Sequence, residues 1–289
     1  MNQEDRLDAS AAPGPHPIPI GILTPEGLQP APYAATSLAE AIPFEPRGVY
    51  TVGRTYNRLF TLLFDEHLAR LAESARLESI PARIDRAALR DALRRLIESS
   101  DYTDARFRIT IPHHAPHTAI ISLERLIPIL PEVYENGVRV VTLHMARHNP
   151  AAKSTTWMSA RKAATDAFPP GVYEGILVDE GGHLLEGTSS NFYAVMDGVL
   201  RTAGEGVLHG IAQRVVETVA PDIIPIDWRP VRADQLWALD EAFLTSASRG
   251  VVPIVMIDAQ IIADGRPGPV TRRLGAAYDA WAAAHLERL

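Results

Sequence analysis

At 289 residues, with 46% hydrophobic and 22% charged positions, the chain has the make-up of a soluble folded protein of one large or two modest domains, which excludes disorder throughout. Its longest apolar stretches, such as residues 251–257 with Pro253 inside, fall far short of the roughly 20 residues a membrane-spanning helix needs. A net charge of −7 argues against binding along a nucleic-acid backbone, and the absence of cysteine excludes disulfides and thiolate metal sites.

Residues 1–16 open Met-Asn-Gln-Glu-Asp-Arg, without a secretory profile, and end in Ala-Ala-Pro-Gly-Pro-His. A mobile arm in a cytoplasmic protein is expected from them. A short edge strand is expected at residues 18–23 and a longer strand at 48–56. Asp65 opens a helix with Leu68, Leu71 and Ala72 on one face, and a second helix starts near Asp85 with Leu89, Leu93 and Leu96 in its stripe. Strand-like runs follow at 106–111, 119–123 and 138–143, so the first half reads as mixed α and β with local connections. The stretch Ala146-Arg147-His148-Asn149-Pro150 breaks regular structure. The expected division is therefore a small domain at 17–145, a linker at 146–152 and a larger domain at 153–289.

The second half opens with an expected helix at 154–167. Hairpins are expected at 173–187, around Asp179-Glu180-Gly181-Gly182, and at 191–202, around Asp197-Gly198, a pair that favours the positive φ of a tight turn. A helix at about 210–219, strands at 242–245 and 251–257, and a closing helix from Thr271 complete an α+β chain whose second half is rich in antiparallel strands.

Three features bear on chemistry. Of the 28 basic residues only Lys153 and Lys162 are lysines, and arginine stays protonated at working pH. Amine chemistry, if present, must use one of these two; the plain alternative is a bias toward arginine with two residual surface lysines. Glycines in Gly204-Glu205-Gly206-Val207-Leu208-His209-Gly210-Ile211 run from a strand end into a helix start, which suits either a simple turn or a phosphate held on free N–H groups. Glu186-Gly187-Thr188-Ser189-Ser190-Asn191 joins two strands and reads either as a solvated loop or as a buried carboxylate held ionised against a cation. The histidines at 113, 114 and 117 lack carboxylates at a metal-binding spacing, and no metal site is expected. No Gly-x-Ser-x-Gly elbow is present.

Taken in order, these pieces resemble the class IV, fold-type IV, pyridoxal-phosphate aminotransferases, the family of branched-chain and D-amino acid aminotransferases and aminodeoxychorismate lyase, over about residues 45–280. Asp65-Glu66-His67-Leu68-Ala69-Arg70-Leu71 is similar to the helix whose arginine grips the cofactor phosphate, which implies that role for Arg70. Pro150-Ala151-Ala152-Lys153-Ser154 matches the segment of the Schiff-base lysine, and the 186–191 stretch resembles the signature whose glutamate meets the pyridine nitrogen. Leu208-His209-Gly210-Ile211 matches the ring-packing leucine and the phosphate-binding helix start, implying roles for Leu208, Gly210, Ile211 and Ala212. Ser246-Ala247-Ser248-Arg249-Gly250 resembles the turn beside phosphate and substrate carboxylate, implying roles for Ala247 and Ser248, and Asp264-Gly265-Arg266-Pro267-Gly268-Pro269 resembles the loop before the last helix.

The resemblance implies a small N-terminal α/β domain, a larger C-terminal cofactor domain, a homodimer, and pyridoxal 5'-phosphate as cofactor. The implied activity is transfer of an amino group from an amino acid to a 2-oxo acid. The resemblance implies that Lys153 is both tether and general acid–base and that Glu186 keeps the ring nitrogen protonated. Tyr50, Arg54 four residues on and on the same strand face, His113 and Arg249 are expected to line the substrate pocket. The chain departs from the family pattern at Ala212, where threonine is frequent, and at Thr156, Trp157 and Met158, where a ring-oxygen partner is usual. An arginine–histidine pair of the D-amino acid enzymes is replaced by Ile111 and His113. The alternatives are an aminodeoxychorismate lyase on the same fold and a binding protein that keeps the fold without turnover.

Overall fold

Alternating burial builds the first sheet. The computed structural model describes residues 16–289, and the arm expected at 1–16 lies outside the described residues except for His16. The strands β1 (Ile20–Thr24), β2 (Gly27–Pro30), β3 (Gly48–Tyr56) and β4 (Phe60–Leu62) lead into helices α1 (Phe64–Leu77) and α2 (Arg86–Glu98). Then come β5 (Ala105–Pro112) and β6 (Ala119–Arg125). Val49 pairs with Ile111, Thr51 with Ile109 and Gly53 with Phe107, so these residues share the face that α1 and α2 cover. Phe64, Leu68, Leu71, Leu89, Leu93 and Ile97 supply the helical half of that core. Tyr50, Val52, Arg106 and Arg108 stand on the opposite face, because successive strand residues point to opposite sides. Asp85 caps α2 by accepting from the Ala88 amide at 3.0 Å.

Next in the chain are α3 (Pro131–Asn136), β7 (Val138–Leu143), α4 (Thr155–Thr165), β8 (Val172–Val178), β9 (Leu184–Gly187), β10 (Asn191–Met196) and β11 (Val199–Arg201). They are followed by α5 (Ile211–Val219), β12 (Ile226–Asp227), β13 (Glu241–Ser246), β14 (Gly250–Ile257), β15 (Gln260–Ile261), α6 (Pro269–Ala284) and β16 (Leu286–Arg288). The first sheet runs β16-β4-β3-β5-β6-β1-β2, and the second runs β12-β11-β10-β13-β14-β7-β8-β9 with β15 on β14. Because β9 pairs with both β8 and β10, six strands of the second sheet close into a ring. Closure comes at the pair Glu186 and Asn191.

Along β10, Phe192 and Ala194 enter one core with Leu244, Val252 and Ile254, while Tyr193 and Val195 face α5 and α6 with Phe243, Leu274 and Tyr278. Both faces of that strand are thus buried, which explains its continuous apolar run. The Tyr193 and Phe243 rings, opposite each other across the strands, stack at 4.8 Å.

Element membership departs from the sequence division in three places. The strand β7 lies parallel to β14 and β8 in the second sheet, so the break between sheets falls ahead of the expected linker at 146–152. The helix after that linker, α4, packs on β3 of the first sheet. The chain does not close on a helix: β16 returns to pair with β4. The antiparallel character expected of the second half holds for its hairpins, while three of its pairings are parallel.

Candidate active site

Backbone contacts fix Lys153 before its side chain is considered. Its carbonyl accepts from the Tyr50 amide at 2.9 Å, and its own amide donates to Ser74 Oγ of α1 at 3.1 Å. The next residue, Ser154, caps α4 by accepting from the Trp157 amide at 3.4 Å. The lysine therefore stands where β3, α1 and α4 meet, and its side chain lines a cavity of about 260 Å³. Nζ lies 5.0 Å from the centre of the Tyr50 ring and has no ion-pair partner among the described residues. Burial, then the positive charges of Arg70, Arg161 and Arg147, hold its ammonium well below the usual lysine range, against the pull of Glu186. Such a shift favours the neutral, nucleophilic form of the amine. Lys162, one residue beyond Arg161, instead pairs with Asp166 at 2.7 Å on the solvated side of α4.

Glu186 closes the ring of strands and is 4% exposed. Arg147 Nη1 donates to its Oε1 at 2.5 Å, and the Leu208 amide donates to Oε2 at 3.1 Å. Burial pushes this carboxyl above its ordinary value, while Arg147 and the Leu208 amide hold the anion. Arg147 also donates to the Ala152 carbonyl at 2.7 Å, next to the lysine, and lies 5.2 Å over the Trp157 ring. Arg147 escaped the sequence reading because it lies in the stretch taken only as a structural break. The available signal was an arginine six residues ahead of a scarce lysine.

An anion cradle occupies another part of the same cavity. Arg70 Nη2 donates to Thr51 Oγ1 at 2.9 Å, and its Nε is buried without a partner. Burial lowers its pKa to about 10. His67 Nδ1 lies 2.9 Å from the same Thr51 hydroxyl. Ile211 and Ala212 open α5, where the first amides have no acceptor within the helix. Gly210 precedes them and packs so closely on Asn191 that a Cβ would collide with it. Ala212 brings no hydroxyl, but the buried Oγ1 of Thr245, without a hydrogen-bond partner, lines the cavity beside Ala247 and Ser248. Free amides, a helix N-terminus and one uncompensated guanidinium suit a phosphate.

The expected substrate residues divide. Tyr50 lines the cavity with its hydroxyl buried and unpartnered. Arg249 also lines it, but Nη1 donates to buried Glu174 at 2.7 Å, Nη2 to Ser189 Oγ at 3.0 Å and Nε to Ser246 Oγ at 2.8 Å. Its fork is thus engaged within the chain, and it ties the 246–249 turn to the 188–191 turn. Arg54 does share the strand face of Tyr50, yet it lies outside this cavity; Asp104 holds it at 3.2 Å and its guanidinium stacks on Tyr56 at 4.2 Å. His113 is exposed just beyond β5 and does not line the cavity of its own chain.

Every residue expected at the cofactor lines this one cavity. Of the three positions that break the family pattern after the lysine, Trp157 and Met158 line it and Thr156 is exposed. Arg106, Arg108 and Arg161 line it as well and were not anticipated. The strand alternation that put Tyr50 on this face also puts Arg106 and Arg108 there through β5, a signal the sequence carried.

The amino-transferase class IV family matches residues 48–257. A putative branched-chain-amino-acid aminotransferase of Methanocaldococcus jannaschii is 28% identical over 245 residues, 78% of this chain and 84% of that protein. The D-alanine aminotransferase of Bacillus licheniformis is 30% identical over 242 residues, again 78% of this chain and 84% of the relative. Among solved structures, the branched-chain amino acid aminotransferase of Escherichia coli superposes with a TM-score of 0.76 at 22% identity. That likeness covers 94% of this chain and 99% of the other, and it speaks to the fold. A putative branched-chain amino acid aminotransferase from Thermotoga maritima gives 0.74 at 25% identity, covering 91% and 96%.

Proposed function

The chain belongs to the class IV aminotransferase family and is an enzyme of that class, and on this premise we propose that it holds pyridoxal 5'-phosphate at Lys153 and moves an amino group from an aliphatic amino acid to a 2-oxo acid. One observation carries the reading: a half-buried, unpaired amine and a buried carboxylate line the same cavity as an arginine and a helix N-terminus that lack an anion. The unsatisfied atoms fit the group. Arg70 Nε, Thr245 Oγ1 and the Ile211 and Ala212 amides suit its phosphate, and each Glu186 oxygen keeps a lone pair beyond its present partner. Leu38, Ile42, Val52 and Met158 give the cavity an apolar wall for an aliphatic side chain, in keeping with relatives named for branched-chain amino acids and D-alanine.

When bound, pyridoxal 5'-phosphate supplies an aldehyde carbon that bonds primary amines and a ring that accepts the electron pair left by a broken Cα–H bond. Lys153 Nζ would tether the cofactor, and its free amine would take the proton from the substrate α-carbon and return one. Glu186 holds a proton on the ring nitrogen, and Arg147 keeps that carboxylate charged and aimed. Arg70, the α5 amides and Thr245 would hold the phosphate and Leu208 would bear on the ring, which would limit the orientations in which the α-carbon meets Nζ. Gly210, Ala247 and Ser248 line the same cavity.

With this reading we place the enzyme in the cytoplasm as a homodimer, divided into a smaller unit on the first sheet and a larger one on the second, with residues 146–152 crossing between them. Exposed Ile127 and Leu130 between the units are apolar surface available to a second copy. Sedimentation at micromolar concentration reads the dimer directly.

The test is a half-reaction. Enzyme loaded with the cofactor and given an amino acid alone should lose its imine absorbance and yield the aminated cofactor. Lys153→Ala should lower the rate of that conversion about 100- to 10,000-fold. Pyruvate release from aminodeoxychorismate without amination of the cofactor would mark a lyase instead. A colourless protein that cannot be loaded would mark a binding protein.

A further inference from the structure

The cavity carries an excess of positive charge that its own acids do not cancel. Seven basic side chains line it against a single carboxylate, Glu186. Four of the arginines have acid partners: Arg147 with Glu186 at 2.5 Å, Arg249 with Glu174 at 2.7 Å, Arg108 with Glu45 at 2.6 Å and Arg106 with Glu124 at 3.0 Å. Among the described residues, Arg70, Lys153 and Arg161 have none. Arg70 belongs to the proposed phosphate cradle, and Lys153 is the proposed tether, its ammonium disfavoured by burial and by the arginines around it. Arg161 is left over.

Its placement is not that of a surface arginine. It follows Trp157 by four residues and Met158 by three, so it shares the buried face of α4 with two side chains that line the cavity. Lys162 takes the solvated face. Arg161 and Lys153 line the same cavity, and after burial and Arg70 the charge of Arg161 lowers the Lys153 amine. Arg106, on the cavity face of β5, feels Arg161 as well, and its Nε is buried with no hydrogen-bond partner. A guanidinium taken partly out of water without an acid is unfavourable, and its planar fork matches a carboxylate through two parallel bonds.

We infer that Arg161, supported by Arg106, is the carboxylate anchor of the substrate, taking the α-carboxylate of the amino acid and of the 2-oxo acid and turning the α-carbon toward Lys153. This role rests on the aminotransferase reading and assigns substrate recognition to α4 in place of Arg249, whose fork is already engaged, and of Arg54 and His113, which lie outside the cavity. It makes the enzyme one for α-amino acids rather than for amines without a carboxylate.

The experiment uses the cofactor-loaded enzyme and butyrate, a carboxylate that cannot turn over, with butyramide as its uncharged counterpart. Calorimetric titration should show butyrate binding and no binding of butyramide. Arg161→Met should weaken butyrate about 10- to 100-fold, the weight of a charged hydrogen-bonded contact, and raise the half-reaction Kd for alanine, leucine and glutamate by similar factors. Arg161→Lys should recover part of both, and Lys162→Met should change neither. Cofactor affinity, titrated by absorbance, should stay as in the parent enzyme. Unchanged butyrate and amino-acid binding in Arg161→Met overturns the inference while leaving amino transfer standing. Weakening confined to glutamate overturns it too, by placing the arginine at a side-chain carboxylate. Equal loss of cofactor affinity would show a collapsed pocket and also count against it. Failure of the parent enzyme to convert any amino acid would remove the aminotransferase reading and this inference together.

Discussion

Thr51 determines how Arg70, the arginine proposed to grip the phosphate, is held. Its hydroxyl accepts from Arg70 and so has its own proton free for His67 Nδ1, at 2.9 Å on each side. That arrangement needs a neutral His67, and burial, then the charges of Arg70 and Lys153, hold the imidazole well below its ordinary pKa of 6.5. Thr51→Val should therefore weaken cofactor binding about 10-fold by removing one contact to a charged group, read by absorbance titration of the apoenzyme. The sign for stability follows from the same shift. A histidine depressed in the folded state favours folding above its unfolded value and loses that contribution as pH falls from about 6.5 toward the folded value. His67→Phe should accordingly flatten the decline in Tm between pH 7 and 5. Arg147→Met, which leaves Glu186 buried beside no cation, should destabilise by about 3–5 kcal/mol in a denaturant titration; a loss under about 1 kcal/mol would show that the pair is not buried as described.

At the scale of elements, Glu174 joins turns that the backbone leaves separate. This carboxylate on β8 accepts from the Ser189 amide at 2.6 Å and Ser190 Oγ at 2.9 Å and holds Arg249 from the turn between β13 and β14. Burial alone would raise its pKa, but Arg249 and these donors outweigh burial, so the carboxyl titrates below its ordinary 4.5. Its stabilisation is complete above the unfolded value and is lost as pH falls through the folded one. Glu174→Gln should lower Tm at pH 7 and remove part of the acid-induced drop below pH 4.5; parallel Tm curves for the two proteins would contradict this. The same element shows what the sequence concealed. Glu174 sits in a strand recognised from its apolar neighbours, and nothing local marks its partner 75 residues away. Long strands and amphipathic helices such as β3, α1 and α2 were legible because several residues repeat a pattern. Three-residue strands such as β4 and β16 offer no period to read. That Lys153, Glu186 and Arg70 share one cavity was legible because each stands in a short motif, whereas Arg161 lies in a helix whose buried face is set by packing on β3. Arg54 was misplaced because strand alternation fixes a face but not how far along it the cavity extends.

Across the whole molecule, the C-terminal residues bind the end of the chain back to its beginning. The strand β16 pairs with β4, Glu287 accepts from the Phe64 amide at the start of α1, and Arg90 reaches Glu287 at 3.2 Å and the Arg288 carbonyl at 2.8 Å. Leu289 is buried in the core of the first sheet. Because α6 packs with α5, whose first amides line the cavity, this return couples the first sheet to the proposed phosphate site. Deleting residues 286–289 should cost about 2–4 kcal/mol of stability, from one buried leucine and several hydrogen bonds, and should speed cofactor loss on dilution. All of the proposed chemistry depends on Lys153 as the tether. Borohydride reduction of the loaded enzyme, followed by peptide mapping, tests it most directly. One cofactor-sized addition per chain, carried by the peptide of Lys153, is expected; an addition on Lys162, or none in a preparation saturated with pyridoxal 5'-phosphate, would contradict it.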